Sequence, residues 1–344
     1  MLGVGGNDWT KNNKRMKHLT ILVPDKQTAL STISCVCGAY DFFSRANELR
    51  TERGKEPLFK IQLAGVSHKS EFANGMVTIT PSVHISSIRK TNLIIIPSMA
   101  SDFTTAAKNN LQLVDWIQEQ YNKGAEVASM CTGAYILAST GLLNGRNCSI
   151  HWNAAGNLKK LFPEVNLKTE KLITDEYGLY TNGGGYSFLN LLIYLLEKYY
   201  GRQTAIYCSK TFQVDIDRVT QNDFAIFTPQ KAHGDDVVKK AQTYIEDNFY
   251  ERISVKDLSQ KFAVGRRNFD RRFVKATGNT PLEYLQRVKI ESAKKAFESS
   301  NKTISEVMYE VGYADQKAFR DVFRRITGMS PLNYKNKYNK EAVV

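Results

Sequence analysis

Cysteine is scarce in this chain, with five in 344 residues at positions 35, 37, 131, 148 and 208. The count is odd and no C-x-x-C pair occurs, so neither a disulfide framework nor a zinc site is indicated, and a reducing cytoplasm fits. Histidine is equally sparse: His18, His68, His84 and His233 show no metal-ligand spacing, and no metal or cofactor is assigned. Long apolar runs are missing too. The longest, around 93–96 and 188–196, fall well short of the ~20 residues that span a bilayer. The opening MLGVGGNDWTKNNKRMK is polar and glycine-rich and has no apolar stretch after its basic residues, so 1–17 reads as a loose arm and not a secretory signal. Met16 offers an alternative start. Gly183-Gly184-Gly185 lacks the G-K-[ST] of a phosphate loop and reads as a tight turn or close backbone approach.

What remains is an ordinary globular composition, 42% hydrophobic and 24% charged, at a length that suits two domains. Acid is in deficit: 47 lysines and arginines face 34 aspartates and glutamates, a formal +13 that calls for a polyanionic partner. The excess is uneven. Residues 237–344 hold 22 basic and 13 acidic side chains, +9, and leave +4 for everything before them. A proline, a glycine and polar residues at 228–236 mark a linker at that division.

The basic segment repeats itself. Phe269, Phe273, Thr277, Gly278, Pro281, Leu282 and Tyr284 recur 50 residues later as Phe319, Phe323, Thr327, Gly328, Pro331, Leu332 and Tyr334. Each copy reads as helix, short turn, helix, glycine stop and a newly capped helix. Ser254 with Asp257 opens the first helix, and Thr280-Pro281-Leu282-Glu283 opens a long one through about residue 299. With Phe269 and Phe273 turned inward, Arg266, Arg267, Asp270 and Arg271 point out; in the second copy Gln316, Lys317, Arg320 and Arg324 do. Two helix-turn-helix units on one chain would read successive major grooves about 34 Å apart, through the base edges that arginine, lysine and glutamine can bond. The alternative is a helical repeat with solvated arginines, which the clustered arginines and the +9 balance disfavour.

Residues 237–338, including VGYADQKAFRDVFRRITGMSPLNYK, resemble the AraC/XylS-type DNA-binding domain. The resemblance implies base contacts from Arg267, Asp270 and Arg271 and from Gln316, Lys317 and Arg320, with promoter DNA as partner. Asp270 either accepts from a cytosine amino group or pairs with Arg266 or Arg271.

Before the linker, apolar runs at 18–24, 59–65, 91–98, 125–130 and 179–184 alternate with helical patterns at 109–123 and 134–142. This predicts βαβ units and an α/β sandwich. In AEVASMCTGAYILASTGLLNGRNCSIHW a strand ends at Met130, Cys131-Thr132-Gly133 turns sharply, and a helix follows. The thiol thus sits near a helix N-terminus, whose dipole lowers a thiol pKa, and His151 follows 20 residues on as a candidate base. Tyr194, Tyr199 and Tyr200 fall at helical spacing and read as core or subunit interface.

This elbow, with SIHW and TNGGGYSFLNLLIYLLEKYYG, resembles the PfpI-like branch of the class I glutamine-amidotransferase-like fold over roughly 18–205. Together with AraC-type DNA binding, the arrangement resembles the GlxA-like transcriptional regulators. The resemblance implies a flavodoxin-like α/β domain over 18–227, a linker at 228–236 and an all-α DNA-binding domain with two helix-turn-helix units over 237–344. An acid near the end of the first strand is common in enzymatic members, and VPDKQTAL offers Asp25 and a neutral Gln27. Asn190 stands where another acid often follows the glycine loop. The expectation is therefore a cytoplasmic, homodimeric transcription regulator with a small-molecule pocket at Asp25, Cys131, Thr132, His151 and Gly184 and no membrane association. The competing reading is a cysteine-dependent hydrolase or amidase, using Cys131 and His151, fused to a DNA-binding module.

Overall fold

In the computed structural model, the residues described are 16–25, 29–99, 105 and 108–339. Residues 1–15 of the arm expected at 1–17 and Gln27 lie outside them, while Lys17, its last residue, opens the first strand. The chain divides into two compact units, Met1–Val219 and Thr220–Val344.

The first unit is built on a seven-stranded sheet. Its strands are β1 (Lys17–Leu22), β2 (Phe59–Gly65), β5 (Val83–His84), β6 (Leu93–Ile96), β7 (Glu126–Ser129), β10 (Ile173–Glu176) and β11 (Leu179–Asn182). They run in the order β10-β11-β7-β6-β1-β2-β5. All neighbours are parallel except β10, which pairs antiparallel with β11 at one edge. Two small ribbons complete the strands: β3 (Ser70–Phe72) with β4 (Val77–Ile79), and β8 (Asn147–Cys148) with β9 (Asn166–Leu167).

Alternation along the central strands feeds two separate cores, one on each face of the sheet, as expected when parallel strands are covered on both sides. Ile94, Ile96 and Val127 face helices Leu111–Asn122, Ala134–Ser139 and Ala155–Leu161. Leu93, Ile95, Ala128 and Met130 face helices Leu30–Glu52, Phe188–Tyr200 and Arg202–Phe212. The aromatic run joins this second core with its polar tips satisfied: Tyr194 donates to Asp175, Tyr199 to Glu126 and Tyr200 to Asn47. Sheet order reverses between β1 and β6. Ligands of open α/β sheets collect at the carboxyl ends of strands beside such a switch.

The second unit is all helix: Asp236–Asn248, Val255–Lys261, Arg266–Thr277, Pro281–Ser299, Ile304–Glu310, Gln316–Thr327 and Pro331–Tyr338. The repeat read from the sequence becomes a repeated aromatic knot. Phe269, Phe273 and Tyr284 pack with ring centroids 5.7 and 5.3 Å apart, and Phe319, Phe323 and Tyr334 do so at 5.7 and 5.5 Å. Each tyrosine hydroxyl donates to a glutamate, Tyr284 to Glu246 and Tyr334 to Glu298. Ser254 caps its helix, and Thr280 and Thr303 each form a full capping box with Glu283 and Glu306.

The stretch expected to be a linker is fastened to this unit. Gln230 O accepts from Gln242, His233 Nε2 meets Gln242 Oε1 at 3.0 Å, and Asp235 caps helix Asp236–Asn248. Residues before it are held as well: Lys294 donates to Ala225 O at 2.7 Å, the Phe227 N–H donates to Glu291, and Lys337 pairs with Asp223 at 2.9 Å.

Candidate functional site

β7 stops at Ser129, and a single 3-10 turn, Cys131–Gly133, leads into helix Ala134–Ser139. Cys131 is forced into the left-handed region, φ 52°, a conformation that costs a non-glycine residue roughly 1–2 kcal/mol and persists only where the surroundings determine it. Those surroundings are specific. Its N–H donates to Asn182 Oδ1 at 2.9 Å, and Asn182 Nδ2 donates to Ser187, which in turn donates to Gly184 O. Thr132 Oγ1 donates to Met99 O and accepts from Met99 N, both at 2.9 Å. Gly133 has no room for a side chain, since a Cβ there would lie 2.5 Å from Pro97 O.

The elbow opens on a cavity of about 660 Å³ at the carboxyl ends of β6 and β7. Cys131, Thr132 and His151 line it, as the sequence led one to expect, together with Cys35, Ser98, Met99, Gly185 and Phe188. Gly184 stands just behind, so close to the His151 ring that a Cβ would overlap it at 1.6 Å. Asp25 is not on this wall; its carboxylate accepts from Ser67 and Ser70, each at 2.8 Å. Asn190 donates to Asp215 O.

The electrostatics reverse the expected activation of the thiol. Burial pushes Cys131 up from the usual thiol value, outweighing nearby backbone N–H groups of Gly185 and Thr132 that favour the thiolate. The following helix has only six residues, too short for its dipole to compete. Cys35, on the same cavity, is pushed up to about 12 by burial. Burial lowers the His151 pKa, favouring the neutral ring, and its Nδ1 accepts from the Asn153 N–H at 3.1 Å. That bond places the ring proton on Nε2, opposite to the tautomer of a general base oriented by an acid at Nδ1. Ser98, 1% exposed, lies on the cavity wall beside Cys35, with whose thiol its hydroxyl interacts.

In the helical unit, Arg267, Arg271, Gln316, Lys317, Arg320 and Arg324 are all exposed. Of its two neighbouring arginines, Asp270 pairs with Arg266, whose Nε donates to it at 2.9 Å. Arg271 donates to Asn268. Arg272, next in sequence, turns back and grips Asp235 with two hydrogen bonds, 2.8 and 2.6 Å. The sequence reading passed over Asn182 and Ser98; an asparagine directly before three glycines was the signal for the first, and nothing local announced the second. Among the described residues no group of three metal-binding side chains occurs, and no helix is long and apolar enough to cross a membrane.

A sheet with a strained cysteine elbow and a pocket, on the same chain as two helix-turn-helix units with basic outward faces, defines a two-part transcription regulator. Comparison with known proteins agrees. A helix-turn-helix domain family model matches residues 258–337, and the DJ-1/PfpI family model matches 55–189. The chain is 23% identical over 322 residues to the HTH-type transcriptional regulator GbdR of Pseudomonas aeruginosa strain UCBPP-PA14, covering 93% of this chain and 84% of GbdR. It is 25% identical over 219 residues to the HTH-type transcriptional regulator GlxA of Rhizobium meliloti strain 1021, covering 60% of this chain and 64% of GlxA. A solved Vibrio parahaemolyticus protein described as a transcriptional regulator shares the α/β fold, with TM-score 0.51, 23% identity and coverage of 57% of this chain and 99% of that one. The chain thus carries a segment similar to the DJ-1/PfpI family ahead of one similar to AraC-type helix-turn-helix domains, the combination found in AraC-family regulators such as GlxA and GbdR.

Proposed function

We propose that this regulator reads promoter DNA with two recognition helices, through Arg266, Arg267, Asp270 and Arg271 in the first and Gln316, Lys317 and Arg320 in the second. On this reading it acts in the cytoplasm as a homodimer, and its α/β unit takes up a small-molecule effector in the elbow cavity. The observation that carries the DNA reading is the repeated aromatic knot: the same inward pair, Phe269 with Phe273 and Phe319 with Phe323, presents the same outward helix face twice. Side chains on such faces reach base edges when the helix enters a major groove. The test is a duplex selected from a random pool by the full-length protein. Arg267→Glu and Lys317→Glu each weaken binding to it by at least tenfold with unchanged circular dichroism; unaltered binding removes these assignments.

Effector uptake is favoured over hydrolysis by the state of the cavity. A thiol raised by burial and an imidazole with its proton on Nε2 are poor partners for nucleophilic catalysis, which needs the thiolate, whereas a half-open cavity of about 660 Å³ lined by both apolar and polar side chains suits a bound ligand. Such a ligand alters DNA affinity only by its differential binding to two states of the protein. Cys131 is accordingly alkylated by iodoacetamide at neutral pH more slowly than a free cysteine. Rapid labelling, or amidase turnover abolished by Cys131→Ala, would return the hydrolase reading.

A further inference from the structure

Two lysines on the connecting helix Pro281–Ser299 are buried, and one of them joins the two helix-turn-helix units directly. Lys289 is 6% exposed. Its Nζ donates to Gly312 O at 3.0 Å and to Glu251 O at 3.3 Å and lies 5.3 Å from the centre of the Tyr313 ring. Glu251 follows the opening helix of the first half; Gly312 is the turn of the second helix-turn-helix. The contact is tight from both sides. Gly312 is left-handed at φ 73°, and a Cβ on it would lie 2.3 Å from Tyr250 O and 2.7 Å from Lys289 Nζ. Phe249, one residue earlier, packs against both aromatic cores.

An ammonium withdrawn from water in this way is a poor means of gaining stability, because desolvation opposes its bonds and an apolar side chain of the same length would fill the space. Burial indeed lowers the Lys289 pKa. What an apolar side chain cannot do is fix two carbonyls from separate halves at set distances, and setting register is the best-attested role of buried polar groups. Among the described residues no lysine hydrogen-bonds the equivalent turn residue of the first unit, Ala263, 49 positions earlier.

Resting on the paired-reader proposal above, we propose that Lys289 is a positioning residue: it locks the two recognition helices into one register and so makes the protein selective for the spacing between its two DNA segments. One inserted base pair moves the second segment by about 3.4 Å and rotates it by roughly 34°, which a locked pair of readers cannot follow.

The experiment uses the full-length chain and the duplex selected by the wild type, with and without one base pair inserted between the two segments protected from hydroxyl radicals. Wild type loses about 100-fold in affinity on insertion. In Lys289→Met that penalty shrinks at least tenfold while both segments stay protected, and Lys289→Arg retains most of it. Lys294→Met serves as the control for merely losing a buried lysine from the same helix, and it keeps the wild-type penalty. Should Lys289→Met fail to fold, Lys289→Gln, whose side chain is one bond shorter and does not reach both carbonyls, gives the same reading. An unchanged penalty in Lys289→Met or its substitute Lys289→Gln, the same reduction in Lys294→Met, or no penalty in wild type overturns the proposal. Failure of wild type to select any duplex overturns the paired-reader reading itself.

Discussion

The two helix-turn-helix units share their core but not the condition of their outward faces. In the first, Arg266 is held by Asp270, Arg271 by Asn268 and Arg272 by Asp235. In the second, Gln316, Lys317, Arg320 and Arg324 are exposed and make no ion pair or side-chain hydrogen bond among the described residues. Their turns differ as well: both residues are left-handed, but one is Ala263 at φ 51° and the other Gly312 at φ 73°. Equivalent positions in a repeat therefore carry equal packing and unequal availability. A side chain already paired at home must exchange that partner for a base or phosphate, so its net gain on binding is smaller.

Several substitutions break or sharpen this comparison. The largest effect falls where the units are alike. Phe273→Ala and Phe323→Ala, both removing fully buried rings, each cost about 3–5 kcal/mol in urea unfolding; a difference above about 2 kcal/mol between them would show that the cores are not equivalent. Next comes the difference in availability. Arg320→Ala weakens binding to a selected duplex by about 1–3 kcal/mol, the range for one side chain reading a base, and Arg266→Ala by less than half as much; equal losses would mean that the Asp270 pairing does not matter. Smaller still are the turns. Gly312→Ala destabilises by more than about 1 kcal/mol, whereas Ala263→Gly stabilises by about 0.5–1 kcal/mol, because only glycine takes this conformation without strain. Thermal unfolding of the pair tests the opposite signs.

The smallest effect is the pH dependence that the Asp235–Arg272 pair adds to the first unit. The Arg272 guanidinium holds the Asp235 carboxyl below its ordinary value. A group depressed in the folded state contributes stability above its unfolded pKa and loses it as pH falls through the folded one, so the contribution is present above about pH 4 and disappears in stronger acid. Arg272→Ala flattens the stability profile below about pH 4, read by thermal unfolding across pH. A profile as steep as wild type would assign the acid sensitivity elsewhere.

Much of the fold was legible because it is written locally. β2 runs over 59–65, as its apolar run indicates, and Thr280, Pro281 and Glu283 form the capping box that their order spells out. The elbow was legible for the same reason, as a strand, a sharp turn and a helix in fourteen consecutive residues. Helix Leu30–Glu52 was passed over although its buried positions 32, 35, 36, 39, 42, 43, 46 and 49 keep helical spacing; threonine, cysteine and alanine among them dilute the apolar signal. The rest depends on distant residues. Asn182 reaches Cys131 across 51 positions, Asp235 reaches Arg272 across 37, and the burial that raises the thiol arises only when the cavity wall closes over it. The expectation of an acidified thiol failed there, since spacing gives a helix start but neither its length nor its desolvation.

The pairing of Arg272 with Asp235 reaches beyond stability, into how this protein responds to ionic strength. Each cation that replaces counterions on duplex DNA adds about 0.9 to the slope of log affinity against log salt. A guanidinium already neutralised by its own chain displaces none. The helical segment's formal +9 therefore overstates the number of ions released, and the measured slope counts only the cations that the fold leaves available to DNA.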